Sequence, residues 1–183
     1  MAGCKLTSNI KKDYCGYAVA GVKSVYLINH DSDVKYTFGT GDKAQEITAI
    51  EMPDVTKAYK VEFVRNTASF SDELAENGNG GKYRTHTVNF SIDQYDYNLL
   101  NEGDALSLGK YTAIVVDKSG RTVILGRLNG LSATAFNYAS GAAEADAIGW
   151  TVTMAGTETE IGPLLESESV IKDIVAPDLV VTP

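Results

Sequence analysis

The chain is poor in the residues that build most catalytic and metal centres. It carries two histidines and two cysteines in 183 residues. His30 and His86 stand far apart in sequence, so no histidine-based metal site is readable. Cys4 and Cys15 lack the C-x2-C spacing and the second ligand pair of a zinc site. Neither has a histidine beside it to activate a thiolate. Two readings stay open: thiols in a reducing compartment, or a disulfide closing a small N-terminal loop. Basic residues are also scarce. Sixteen Lys and Arg against 24 Asp and Glu leave a formal charge of −8, which argues against a grip on nucleic acid or on an anionic membrane. No stretch approaches the roughly 20 apolar residues of a membrane helix. Met1-Ala2-Gly3-Cys4 ends like a lipoprotein signal but lacks the apolar region before it. Position 2 is Ala2, where myristoylation needs glycine. Secretion and lipidation are therefore not expected.

What is present is a hydrophobic content of 44% and a length suited to one domain. Folding at this size buries roughly 70% of the unfolded chain's surface, enough for a core without metal or disulfide. The dominant pattern has period two. Tyr83–Asp93 places Val88, Phe90 and Ile92 on one face and Thr87, Asn89 and Ser91 on the other. Trp150, Val152 and Met154 alternate with Thr151 and Thr153. Both read as half-buried antiparallel strands. Further strands are expected at Val22–Ile28, Ile47–Glu51, Tyr59–Val64, Tyr111–Val116, Thr122–Leu128 and Ser132–Phe136. The near-continuous apolar run after Tyr111 suits a central strand. Asp117-Lys-Ser-Gly120 supplies the turn of a β-hairpin.

One helix is expected, capped by Asp93, running from Gln94 to about Asn101 and ending before Gly103. The fold class is therefore mainly β, an antiparallel β-barrel or sandwich with one short flanking α-helix. Two irregular stretches remain. Asn66–Lys82 reads as a long loop, and Pro163–Pro183 as an extended C-terminal arm, too apolar to be solvated, lying on its own domain or on a neighbour. The boundaries are a β-rich domain over residues 1–165 and an arm over 166–183.

The chemistry-bearing candidates each have a plainer reading. His30-Asp31-Ser-Asp33 reads as a solvated turn. His86, between Thr85 and Thr87, reads as an exposed cross-strand contact. Asn77-Gly-Asn-Gly-Gly81 precedes a strand, not the helix a phosphate cradle needs. Lys118-Ser-Gly-Arg-Thr122 is the hairpin turn, and no G-x-S-x-G elbow occurs. Asn89-Phe-Ser91 matches a glycosylation sequon, which matters only in a secreted protein. The ten tyrosines are spread along the chain and read as core and interface packing. No catalytic, cofactor or metal residues are assigned, and an enzyme is not expected.

The second half resembles a known family. Leu106-Ser-Leu-Gly-Lys-Tyr-Thr-Ala-Ile-Val-Val-Asp117 is followed by Lys-Ser-Gly-Arg-Thr-Val-Ile-Leu-Gly126 and Leu-Asn-Gly-Leu131. Then come Ser140-Gly-Ala-Ala-Glu-Ala-Asp146, Gly149-Trp-Thr-Val-Thr-Met-Ala-Gly156 and Glu160-Ile-Gly-Pro-Leu-Leu165. This order resembles tail-tube-type structural proteins of tailed phages and prophages of Bacteroidetes-like bacteria, over about half the chain. The resemblance implies a virion subunit whose rings stack into a tube, assembled in the host cytoplasm. The partners implied are copies of itself and other tail or neck proteins, with DNA only as passing cargo. A neck or ring protein of the same virion would share the fold, and a monomeric β-sandwich binding module is the alternative of another class. By analogy with the family, subunit contacts are expected at Phe70–Tyr83 and Leu164–Val181, with Phe70, Leu74, Glu76, Tyr83, Leu164, Leu165, Val170, Ile171 and Ile174 as candidate interface residues.

Overall fold

A computed structural model describes residues 5–6, 8–12, 15–53 and 57–177. Cys4 and the last part of the expected arm, including Leu179, Val180 and Val181, lie outside the described residues. The chain is mainly β, with 45% strand and 11% helix in one mixed sheet that does not close into a barrel. This corrects the barrel half of the expectation. Eleven strands are present among the described residues: β1 (Val22–Asn29), β2 (Lys35–Phe38), β3 (Glu46–Glu51), β4 (Ala58–Val61), β5 (Ser69–Glu76), β6 (Lys82–Ile92), β7 (Lys110–Asp117), β8 (Thr122–Leu125), β9 (Leu131–Ala139), β10 (Gly149–Glu158) and β11 (Leu164–Leu165). Two helices accompany them, α1 (Tyr97–Leu108) and α2 (Ser169–Lys172). Among the described residues, no helix is long and apolar enough to cross a membrane.

The sheet runs β2-β3-β11-β8-β7-β9-β10-β6-β5, with β1 on β7 and β4 on β1. Its pairings are antiparallel except β11 on β3. The reason lies in β7. Its apolar run is buried on both faces, as continuous hydrophobic strands are. Ala113 and Val115 join one core with Val25, Leu27, Val88, Phe90, Val152 and Met154. Ile114 and Val116 join a second core with Ile28, Ile47, Ile124, Leu165, Ile171 and Ile174. The β6–β10 end of the sheet therefore lies over one face of β7, and β3 with α2 over the other.

The hairpin β7–β8 turns at Gly120, whose φ of +86° is the left-handed conformation the Asp117–Gly120 signal requires. Other expectations change. The long loop Asn66–Lys82 is corrected: β5 pairs with β6 from Ser69↔Asn89 to Glu76↔Lys82, and only the turn between them is irregular. Asn77 Oδ1 closes that turn by accepting from the N–H groups of Asn79 and Gly81. The helix is longer and later than expected. Asp96, not Asp93, is its cap, accepting from the Leu99 N–H at 2.8 Å. It runs through Gly103, which lies against Phe136. The described part of the arm folds onto its own chain. Ile174 and Ala58 share a backbone hydrogen bond of 2.9 Å, and Ala176 donates to the Ala58 carbonyl at 2.8 Å.

Candidate functional site

The nine candidate interface residues fall into two separate groups. Phe70, Leu74, Glu76 and Tyr83 share the β5–β6 hairpin. Leu74 and Glu76 are exposed, Tyr83 is half-buried, and Phe70 packs against the first core. Leu164 is exposed, but Leu165, Ile171 and Ile174 are buried in the second core and Val170 packs on it. Ile171 is 1% exposed. These three side chains are buried within their own chain, so as it stands they present little surface to a neighbour. Their apolarity was legible in sequence, but not the side of the molecule boundary they would fill.

A polar seam ties the hairpin to the rest of the sheet. Asp72, on β5, accepts from Arg84 Nε at 2.5 Å and from the Gly162 N–H at 3.0 Å. The second contact reaches from the end strand of the sheet path to the loop before β11. His86 Nε2 lies 3.4 Å from the same carboxylate, and its Nδ1 accepts from the Gly126 N–H at 3.2 Å. At 1% exposed, His86 is a core residue, which corrects its reading as an exposed contact. It shares its parity with Val88 and Phe90, so the alternation itself placed it inward.

A second set of charges lies nearby on the same loops. Arg127 makes a two-point pair with Glu160, both bonds 2.7 Å, and sits 5.5 Å from the Tyr36 ring centre and 5.2 Å from that of Phe38. The hydrogen bonds Arg127 donates to Glu160 hold its guanidinium above its ordinary pKa. Burial pushes the Tyr36 phenol up, partly offset by its bond to Thr112. Thr112 donates to the Gly126 carbonyl at 3.0 Å and lies 3.1 Å from His30 Nδ1. Glu158 is buried, with Oε1 accepting from the Asn129 N–H at 2.9 Å and Oε2 without a partner among the described residues. It borders an open cleft with Asn77, Tyr83, Asn129 and Thr157.

This chemistry joins loops. Asp72 and Glu160 are each committed to an arginine. The Thr112 hydroxyl is buried and donates to a backbone carbonyl. Asp31 accepts from the Asp33 N–H in a turn. Asn89 sits mid-strand, opposite Ser69 and Thr153. Among the described residues, no three His, Cys, Asp or Glu side chains gather as metal ligands.

The remaining feature is the α1 face. Phe136 and Trp150 stack at 4.5 Å, Tyr95 stacks on Trp150 at 5.5 Å, and Tyr138 leans against both Tyr95 and Trp150. Four rings scattered in sequence thus form one cluster between the start of α1 and the β9–β10 hairpin. No alternation or motif announces it, because Tyr95 lies outside any strand and is brought there by the helix. No protein family, curated protein or solved structure is significantly similar to the chain.

Proposed function

We propose that the protein is a structural subunit of a phage tail tube, assembling with copies of itself into stacked rings that form a conduit for the genome. The resemblance over Tyr83–Leu165 motivates this reading, and the state of strand β5 carries it. β5 is eight residues long, lies at the end of the sheet path, and has β6 as its sole ladder partner among the described residues. An open edge of that length invites pairing with another chain. β2, at the other end, has four residues and carries Lys35, the short charged form that blunts an edge. β5 holds neither lysine nor proline, and Leu74 on it is 60% exposed. A ring covers such edges by symmetry. In this reading the two packed ends of the sheet are sandwich-like, the hairpin β5–β6 projects into the subunit contact, and exposed Leu74, Glu76 and Leu164 with half-buried Tyr83 are its members. The function is mechanical, and its site is a surface. The charge of −8 per subunit, repeated around a ring, repels duplex DNA and keeps it sliding.

The test is the mass of the purified chain against concentration, with Leu74→Arg as the probe of the edge. Assembly of the native chain and its loss in the variant support the reading. A native chain that stays monomeric overturns it in favour of the binding-module alternative.

A further inference from the structure

Asparagine stands directly before glycine at Asn77-Gly78, Asn79-Gly80 and Asn129-Gly130. In such a pair the glycine nitrogen can attack the asparagine side-chain carbon, because the glycine has no Cβ to obstruct the approach. In an unfolded chain the three pairs are chemically alike. The fold makes them different.

At Asn129 both halves are held. Its Nδ2 donates to the Thr157 carbonyl at 2.9 Å, and Gly130 is buried, away from the solvent base the reaction needs. At Asn79 the side chain is exposed, but the nucleophile is committed. The Gly80 N–H donates to the Asn77 carbonyl at 2.9 Å.

At Asn77 the nucleophile is open and the electrophile is activated. Gly78 is exposed, and its N–H has no hydrogen-bond partner among the described residues. Asn77 Oδ1 accepts from the Asn79 N–H at 3.1 Å and from the Gly81 N–H at 2.8 Å. Negative charge develops on that oxygen when the side-chain carbonyl is attacked. Two backbone donors at these distances stabilise it as an oxyanion hole does.

We infer that Asn77 is a site of spontaneous deamidation, selected from the three pairs by the β5–β6 turn. The Gly78 nitrogen gives its proton to solvent base and forms a bond to Asn77 Cγ. The Cγ–Nδ2 bond breaks, and Nδ2 takes up a proton and leaves as ammonia. Water then opens the cyclic imide at either carbonyl, leaving aspartate or isoaspartate at position 77. Aspartate keeps an oxygen acceptor for the turn and adds a negative charge next to Glu76. Isoaspartate adds a methylene to the main chain of a turn closed by the Asn77 N–H on the Gly81 carbonyl at 2.8 Å. It therefore loosens the hairpin end at Glu76↔Lys82. The inference does not rest on the assembly reading, although the new charge falls on the hairpin that reading places in the subunit contact.

The test incubates the full chain at mildly alkaline pH, folded in buffer and unfolded in guanidinium chloride, with samples taken over time. Trypsin, cutting after Arg65 and Lys82, releases residues 66–82. Fragmentation of that peptide assigns the amide-to-acid mass gain to Asn77 or Asn79, and the peptide after Arg127 reports on Asn129. We expect Asn77 in the folded chain to convert about tenfold faster than Asn79, a modest share of the ~10²–10³ that an oxyanion donor supplies in an enzyme. Unfolding should bring the three pairs to similar rates. Gly78→Ala meets no other atom within 4 Å, so it should stay folded and suppress the reaction at Asn77. A folded chain in which Asn79 or Asn129 reacts ahead of Asn77 overturns the inference. So does one in which Asn77 stays intact while the unfolded chain converts.

Discussion

At Gly156 a Cβ would stand 2.2 Å from the carbonyl oxygen of Gly130. Both partners are backbone, so no rotamer change relieves the clash. Gly156→Ala should cost at least the ~1–3 kcal/mol of an overpacked core, read as a lower urea midpoint; an unchanged midpoint contradicts the close approach. Asp72 is the second test at this scale. Asp72→Ala removes the acceptor for Arg84 Nε and the Gly162 N–H and should destabilise by ~1–3 kcal/mol, with Asp72→Asn losing less. Asp146 provides the pH test. Backbone N–H groups of Ala143 and Ala142 hold its carboxyl below the usual aspartate range. The unfolded chain then binds more protons through the acid range, so this contribution is present above about pH 4 and is lost as pH falls through the folded value. A chemical-shift titration of Asp146 should show the lowered midpoint, and Asp146→Ala should flatten the acid limb of the stability curve. His86 shows what was legible in single residues. Its flanking threonines suggested a polar face, yet its two-residue spacing from Val88 put it inside. The register governs, not the neighbours.

Among the elements, α1 depends on a small residue at its contact. A Cβ at Gly103 would meet Phe136 Cε1 at 3.4 Å, an ordinary contact. Gly103→Ala should therefore be neutral or stabilise by up to ~1 kcal/mol through helix propensity. Gly103→Leu should lift the helix from Phe136 and expose Trp150, the single tryptophan, shifting its emission to the red. Unshifted emission would contradict the docking described. The sequence points to Asp93 as the cap and to Gly103 as a stop. Gly103 packs against Phe136, so the helix runs on past that stop, and packing is not local. β5 was illegible for another reason. Phe70, Asp72, Leu74 and Glu76 share a parity, so apolar and acidic side chains fall on one face and no clean alternation survives. Only the Asn77–Gly81 turn marked the hairpin. β7 was readable because its apolar run serves two cores at once. The strands at Val22, Ile47, Tyr83, Thr122 and Trp150 were likewise legible from their patterns.

For the molecule as a whole, burial separates the parts that hold the chain together from those left exposed. Leu165, Ile171 and Ile174 close the second core, so truncation after Leu165 should unfold or strongly destabilise the chain instead of merely releasing an arm. A truncated chain with native stability would contradict that assignment. What remains outside is the β5 edge and the exposed face of α1. Light scattering across a wide concentration range, with negative-stain images of the same sample, addresses their role most directly. The account predicts a mass that rises with concentration and images of rings or tubes. A single monomer mass at every concentration, with no ordered particles, would contradict it.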